Sequence, residues 1–190
     1  MPGEPTRHRP DDQTLALRAQ GGCVDSFEEL LRRHQVPLLH FLKRFANETE
    51  AEDILQETFI RAYRNLDRYR ARWSFSTWLF TIARRLAANS RKRQKPGDDN
   101  TTEIESLPSG SPGPEAALAA EENKQKLWDI AAAVLTPDQH TALWLYYVED
   151  MPVKEIAAVL GRFVPATKMM LHRARQKLTP ALQATDLNHE

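Results

Sequence analysis

Cationic and aromatic side chains dominate the sequence between residues 61 and 95. The cationic residues, set against the single acid Asp67, are Arg61, Arg64, Arg68, Arg70, Arg72, Arg84, Arg85, Arg91, Lys92, Arg93 and Lys95. The aromatic residues among them are Tyr63, Tyr69, Trp73, Phe75, Trp78 and Phe80. Cations neutralise backbone phosphates, and an aromatic ring that stacks on an unpaired base contributes about 1–3 kcal/mol. The combination is typical of a surface that binds single-stranded or melting DNA.

Two of these rings are better stacking candidates than the others. Trp73 and Phe75 lie in a predicted loop before a helix, where a ring can face solvent. Trp78 instead continues the apolar stripe of that helix, and such a position more often belongs to a core.

A second basic segment has the spacing of a helix-turn-helix. A short helix, Val153 to Leu160, ends at Gly161, and a last helix begins near Pro165 and runs to about Leu178. The predicted packed face of that helix holds Thr167, Leu171, Ala174 and Leu178, and the cationic face holds Lys168, His172 and Arg175, with Arg173 and Lys177 beside it. Such a helix can enter a major groove, although the pattern also suits a solvated helix in an α-hairpin.

An acidic segment precedes the first basic one. Its acids are Glu48, Glu50, Glu52, Asp53 and Glu57. On a helix predicted from about Glu50 to Leu66, Asp53, Gln56 and Glu57 share an exposed arc, with Ile60 close by. Because an acidic surface repels DNA, this face is either simply solvated or a protein-docking surface.

Catalytic and metal chemistry has little support. His34 and His40 have no acid or serine placed by spacing to work with them, and Cys23 is the only cysteine. No residue set has metal-ligand spacing, and no glycine-rich phosphate loop follows a strand. We therefore expect no catalytic residue, no metal and no cofactor, in a protein that is not an enzyme.

The apolar pattern predicts an all-α fold of two small helical domains. Apolar residues recur at three- and four-residue steps, and Pro37 is expected to bend or interrupt the first helix. The predicted parts are an N-terminal tail (1–24), a helix bundle (25–95), a flexible acidic linker (96–121), a helix-turn-helix domain (122–182) and a C-terminal tail (183–190).

Bulk composition indicates where the protein is located in the cell but not what it binds. Lys+Arg and Asp+Glu both number 26, so the zero net charge does not indicate a partner. No apolar run approaches ~18 residues, and the start of the chain lacks the pattern of a signal peptide. We expect a cytoplasmic protein.

Three segments resemble those of extracytoplasmic-function sigma factors, bacterial members of the sigma-70 family. Ala51–Tyr63 resembles the segment that binds core RNA polymerase, and Phe75–Arg84 resembles the segment for promoter melting and −10 recognition. Leu171–Leu178 resembles the end of the −35-reading helix-turn-helix. The resemblance covers about residues 25–95 and 122–180, with the three motifs in the family's order.

The resemblance implies a sigma factor with regions 2 and 4 of the family, which directs promoter-specific initiation and melts the −10 region. Its implied partners are core RNA polymerase, promoter DNA and an anti-sigma factor that can hold it at the inner membrane face; it would take no small-molecule substrate and be a monomer when free. The implied core polymerase-binding residues are Asp53, Gln56, Glu57 and Ile60. Those for −10 DNA are Arg68, Arg72, Trp73, Phe75, Arg84, Arg85 and Arg91. Those for −35 DNA are Thr167, Lys168, His172, Arg173 and Arg175.

Two other classes of protein compete with this interpretation. A free-standing helix-turn-helix regulator would sense a ligand with its first domain and bind duplex DNA without polymerase. An adaptor would bind only protein, through the acidic helix and a face containing Trp144 and Tyr147. The basic and aromatic first domain favours DNA over a small molecule, and failure to bind promoter DNA even with polymerase would favour the adaptor.

The sequence departs from the family's pattern at four positions. Arg85 stands where Asn is usual, Phe163 where a capping Ser is usual, and Pro165 where Gly is frequent. Met170 stands where Arg is usual, so one cationic contact to the −35 element is expected to be missing. We expect weaker or differently specified −35 binding.

Restoring arginine at position 170 should raise the affinity for −35 DNA, because one more phosphate contact releases one more counterion. The slope of log affinity against log salt concentration should steepen by about 0.9 in Met170→Arg. Titration of a labelled −35 duplex at several salt concentrations measures both quantities. If neither changes, position 170 does not face DNA.

Overall fold

The computed structural model describes residues 10–94 and 127–186, which form helices joined by short turns. The first stretch contains α1 (Asp12–Gln20), α2 (Val24–Leu42), α3 (Glu48–Arg64), a 3-10 turn (Leu66–Arg68) and α4 (Phe75–Gln94). The second contains α5 (127–134), α6 (Pro137–Tyr147), α7 (Val153–Leu160) and α8 (Val164–Asp186). Neither described stretch contains a strand, and the predicted all-α fold is confirmed.

The chain divides into two compact units, Met1–Asp98 and Asp99–Glu190. The predicted acidic linker at 96–121 lies outside the described residues. The predicted C-terminal tail is corrected in part, because α8 continues through Pro180 to Asp186.

Helix α1 occupies much of the predicted N-terminal tail, which is a second correction. Asp11 caps it, since the Thr14 N–H donates to Asp11 Oδ1 at 2.7 Å. Leu15, Ala16 and Ala19 form its buried side, and α1 packs chiefly on α2. The helix has only nine residues, and two of its four apolar residues are alanines, so the sequence pattern alone did not indicate it.

The core of the first unit is formed by α2, α3 and α4. Its fully buried side chains include Leu30, Leu38, Phe41, Leu42, Ala51, Leu79, Phe80 and Ala83. The rings of Phe41 and Phe80 meet edge to face, with centroids 5.0 Å apart. Helix α2 continues through Pro37, so the predicted interruption does not occur. Burial of the apolar residues that follow Pro37 offsets the helical hydrogen bond that its missing N–H cannot donate.

Local signals in the sequence determine where α6 begins and where α7 ends in the second unit. The predicted capping box at the start of α6 is present: the Gln139 N–H donates to Thr136 Oγ1 at 3.4 Å, and the Thr136 N–H donates to Gln139 Oε1 at 3.1 Å. Gly161 ends α7 with a φ of +64°, a conformation that glycine adopts without a Cβ penalty. Helix α8 then packs on α6 and α7 with Leu171 and Ala174 buried.

Asp12 fastens the first turn of α1 to α2. Its Oδ2 lies 2.6 Å from His34 Nε2, and its Oδ1 accepts a hydrogen bond from Arg33 Nη1 at 2.9 Å. The hydrogen bond with His34 lowers the pKa of Asp12 below its ordinary value of 3.8; the Arg33 contact adds to this effect, and partial burial opposes it. A carboxyl with a lowered pKa stabilises the folded state above its ordinary pKa, and the contribution is lost as the pH falls through the folded-state pKa.

Asp12→Asn should therefore unfold more easily than the wild type at pH 7 and lose part of the decline in stability that the wild type shows in acid. Urea unfolding of the full chain between about pH 6 and pH 2 measures this difference. Asp25→Asn, which changes an exposed acid on α2, is the matched control. Equal dependence of the unfolding free energy on pH in wild type and Asp12→Asn would contradict the assignment.

Candidate nucleic-acid and protein interfaces

The acidic face of α3 is formed by a helix whose opposite side is in the core. Asn47 caps the helix, since the Glu50 N–H donates to Asn47 Oδ1 at 2.9 Å. The buried side consists of Ala51, Ile54, Thr58, Phe59 and Ala62. Helical geometry therefore turns the intervening residues outward.

The four residues predicted to bind core polymerase lie together on this outward side. Asp53, Gln56, Glu57 and Ile60 are spaced at i, i+3, i+4 and i+7, which places them along one strip of the helix. Asp53 and Gln56 are exposed, and 37% of Ile60 is accessible. Glu57 Oε1 accepts from Arg61 Nε at 2.6 Å, so part of the acidic charge is neutralised within the helix. The strip presents both a carboxylate and an apolar side chain to a partner.

Loop 69–74 links the 3-10 turn to α4 and carries the second candidate site. Tyr69 anchors it from within: only 2% of Tyr69 is exposed, and its Oη donates to the Trp73 carbonyl at 3.0 Å. Arg70 and Arg72 are exposed, and the Arg72 guanidinium lies 5.5 Å from the centre of the half-exposed Trp73 ring. The loop therefore presents two cations and an aromatic ring to solvent.

Phe75 does not face solvent, so the prediction that its ring stacks on a DNA base is wrong. It is 1% exposed, and its ring centre lies 5.6 Å from that of His34 and 5.7 Å from those of Tyr69 and Trp78. A ring enclosed in this way has no face on which a base could stack. Trp78 is half-buried in the same cluster, as its place in the apolar stripe predicted.

The remaining arginines predicted to meet −10 DNA lie on the 3-10 turn and on α4. Arg68, Arg85 and Arg91 are exposed, and Arg84 is half-exposed. Arg84 and Arg91 are seven residues apart and so lie on one side of α4. Arg68 precedes the loop in sequence, and the other three arginines follow it on α4.

The helix-turn-helix separates the predicted −35 residues into two groups. Lys168, His172 and Arg173 are exposed on α8. Thr167 is fully buried, and its Oγ1 donates to the Phe163 carbonyl at 3.1 Å, so its side chain does not face DNA. This corrects its assignment as a DNA contact and agrees with its place in the predicted packed face.

Arg175 is held against α6. Its Nε donates to Tyr147 Oη at 2.9 Å, and its guanidinium lies 5.1 Å and 5.5 Å from the ring centres of Tyr146 and Tyr147. These contacts link α8 to α6, while Arg175 itself remains exposed to solvent. Sequence spacing placed it on the cationic face but could not identify this partner.

Two further findings bear on the surfaces of the second unit. Trp144 is 4% exposed, so it cannot form the docking face that the adaptor alternative assigned to it. Phe163, directly before α8, is 85% exposed, and its carbonyl accepts the Thr167 N–H at 3.0 Å. The backbone of Phe163 thus begins the helix while its ring stays in solvent, in place of the side-chain cap that a serine would supply.

The described residues contain neither a candidate metal site nor a candidate membrane-spanning helix. Across residues 10–94 and 127–186, no three His, Cys, Asp or Glu side chains are grouped in a way that could hold a metal ion. In the same stretches, none of the helices has the length and apolar character needed to span a bilayer.

Family comparisons identify both units. The family model for Sigma-70 region 2 matches residues 30–96, and that for Sigma-70, region 4, matches residues 131–178. The chain is 33% identical over 182 residues to RNA polymerase sigma-H factor of Pseudomonas aeruginosa, covering 90% of this chain and 94% of that one. It is 30% identical over 181 residues to ECF RNA polymerase sigma-E factor of Escherichia coli K12, with the same coverage of 90% and 94%.

Two solved structures share the fold. CnrH, solved in complex with the cytosolic domain of CnrY, aligns with a TM-score of 0.66 at 27% identity and covers 91% of this chain and 97% of that one. The sigma factor RpoE of Bartonella quintana, solved with the anti-sigma factor NepR, aligns with a TM-score of 0.64 at 23% identity and covers 83% and 96%.

Proposed function

Because the chain belongs to the extracytoplasmic-function sigma factors of the sigma-70 family, we propose that its three surfaces divide the steps of promoter recognition. The protein is not an enzyme; it binds core RNA polymerase and directs initiation at promoters with −35 and −10 elements. The observation that carries the division is the separation of charge in the first unit, where an acidic helix face precedes a basic, aromatic loop.

The acidic strip of α3 is the docking surface for core polymerase. Asp53 and Glu57 would repel DNA phosphates, so this side of the unit suits a basic protein surface. Gln56 lies between the two acids and adds a hydrogen-bonding group to the contact. Ile60 lies beyond them and adds an apolar group. Docking through α3 leaves loop 69–74 available to DNA.

Loop 69–74 and α4 capture and melt the −10 element. Trp73 supplies the stacking surface for an unpaired base, and Arg72 beside it supplies a cation for the neighbouring phosphate. Four arginines that precede or follow the loop in sequence contact the phosphate backbone of the DNA: Arg68, Arg84, Arg85 and Arg91. Phe75 acts from the core, where it supports the loop instead of touching the base.

Helix α8 reads the −35 element from its exposed side. Lys168, His172, Arg173 and Arg175 are the exposed side chains that reach DNA. Arg175 positions α8 through Tyr147, and Thr167 packs the helix onto the unit. Phe163 and Met170, where the family usually has polar residues, reduce the hydrogen-bonding groups at the start of this helix.

The protein works in the cytoplasm and is restrained there by an anti-sigma factor. The support is the likeness to CnrH, which was solved bound to the cytosolic domain of CnrY. A restraining partner anchored in the inner membrane would hold the factor at the membrane face.

Run-off transcription with purified core polymerase and a promoter from upstream of the protein's own gene tests this proposal. A transcript that depends on the protein should be lost when Asp53 and Glu57 are both changed to Lys, because like charges at a docking surface cost several kcal/mol. Asp25→Lys with Glu28→Lys reverses two exposed acids on α2 and is the matched control. No transcript, with a shift of duplex DNA by the protein alone, would favour the free-standing regulator.

Trp73→Ala should impair melting while leaving polymerase binding intact. Loss of one stacked base, worth about 1–3 kcal/mol, reduces open complexes by roughly 5- to 150-fold. Permanganate reactivity of thymines in the −10 region measures opening, and Trp73→Phe, which keeps an aromatic ring, should restore most of it. Wild-type permanganate reactivity in Trp73→Ala would remove Trp73 from the −10 site.

A further inference from the structure

We propose that α1 is a brace that holds both ends of loop 69–74, with Gln20 as the residue that positions the loop for promoter opening. The inference rests on the proposed role of that loop. The residues of α1 lie outside the matched sigma-70 region 2, which begins at residue 30.

Gln20 holds the first end of the loop. Its amide Nε2 donates to the Leu66 carbonyl at 2.6 Å and to the Tyr69 carbonyl at 2.9 Å, across 46 and 49 residues of sequence. These carbonyls lie at the two ends of the 3-10 turn, where the Tyr69 N–H also donates to the Leu66 carbonyl at 3.0 Å. Arg70 Nη1 contacts the Tyr69 carbonyl as well, at 3.1 Å. The single amide group of Gln20 therefore ties the turn, and with it the backbone from which the loop leaves, to the end of α1.

Asp12 supports the other end of the loop through His34. The Asp12 carboxylate holds the His34 ring by its Nε2, and that ring contacts Phe75, the first residue of α4. The two ends of one short helix are thus connected to the two ends of the loop: Gln20 to its start and Asp12, through one ring, to its finish.

The loop's internal contacts transmit this support to its exposed part. Tyr69 is held at its carbonyl by Gln20, and its own hydroxyl group reaches the Trp73 carbonyl at 3.0 Å. Displacing Tyr69 would therefore displace the backbone that carries Trp73. A loop that is ordered before DNA binds avoids the entropy cost of ordering at the moment of base capture. The brace should consequently favour opening, a step later than polymerase docking.

The test compares variants of Gln20 in the full chain, assembled with core polymerase on the promoter used above. Gln20→Glu keeps the length of the side chain but aims acceptor oxygens at two carbonyls; Gln20→Met keeps the length, removes the donors and adds no charge. We expect both to reduce permanganate reactivity in the −10 region about tenfold, with core affinity within about twofold of the wild type. Gln20→Lys, which retains donors, should recover much of the loss.

Two controls make the result specific. Gln13→Glu makes the same chemical change at an exposed position of α1 and should open the promoter like the wild type. Hydrogen exchange of the free protein should show faster exchange of the backbone amides of loop 69–74 in Gln20→Met than in the wild type. Wild-type opening in both Gln20→Glu and Gln20→Met, when Trp73→Ala is defective in opening, would overturn the proposal. So would an equal loss of core binding and opening, which would assign Gln20 a role in stability alone.

The Trp73→Ala variant separates failure of the brace from failure of the loop's proposed role. If Trp73→Ala opens the promoter normally while exchange in the loop accelerates in Gln20→Met, the loop's function is wrong and the structural brace stands. If Trp73→Ala is defective while exchange and opening in Gln20→Met match the wild type, the brace is wrong and the loop's function stands.

Discussion

Burial of the Tyr69 ring is the constraint on which the DNA-facing part of the first unit depends. The ring fills a cluster with Phe75 and Trp78, with centroids 5.7 Å and 5.5 Å away, while its hydroxyl group reaches the Trp73 carbonyl. A buried tyrosine needs a hydrogen-bond partner, and here the partner is the loop that the ring anchors. Packing and loop conformation are therefore determined together, and the exposed arginines and Trp73 depend on an interior contact for their placement.

Acidic and basic residues occupy separate parts of the first unit, although the whole chain has a net charge of zero. Asp53 and Glu57 of α3 lie on one exposed strip, and the cations follow on the loop and α4. The pair of Glu57 and Arg61 lies where the acidic stretch gives way to the basic one. Because exposed charges separated by more than about 8–10 Å interact weakly at physiological salt, such zones can recognise a protein and a nucleic acid on one small domain.

The second unit uses part of its cationic side chains to hold its own recognition helix. Arg175 contacts Tyr146 and Tyr147 of α6, and Arg162 Nη2 donates to Asp138 Oδ2 at 2.6 Å. Both are charged groups that a count of basic residues would assign to DNA. Their partners position the turn and α8, while both arginines stay exposed to solvent together with Lys168, His172 and Arg173.

The sequence by itself determined the features that arise between near neighbours in the chain. Residues a few positions apart determine the helix periodicity, the capping box at Thr136 and the glycine stop at Gly161. The same is true of the outward strip of α3. Tertiary structure alone decided the burial of Phe75, the partners of Arg175, and the attachment of α1 through Gln20 to carbonyls 46 and 49 residues away. The physical reason is that a helical pattern specifies which side chains share a face, whereas the group that a polar side chain meets depends on how separate helices pack.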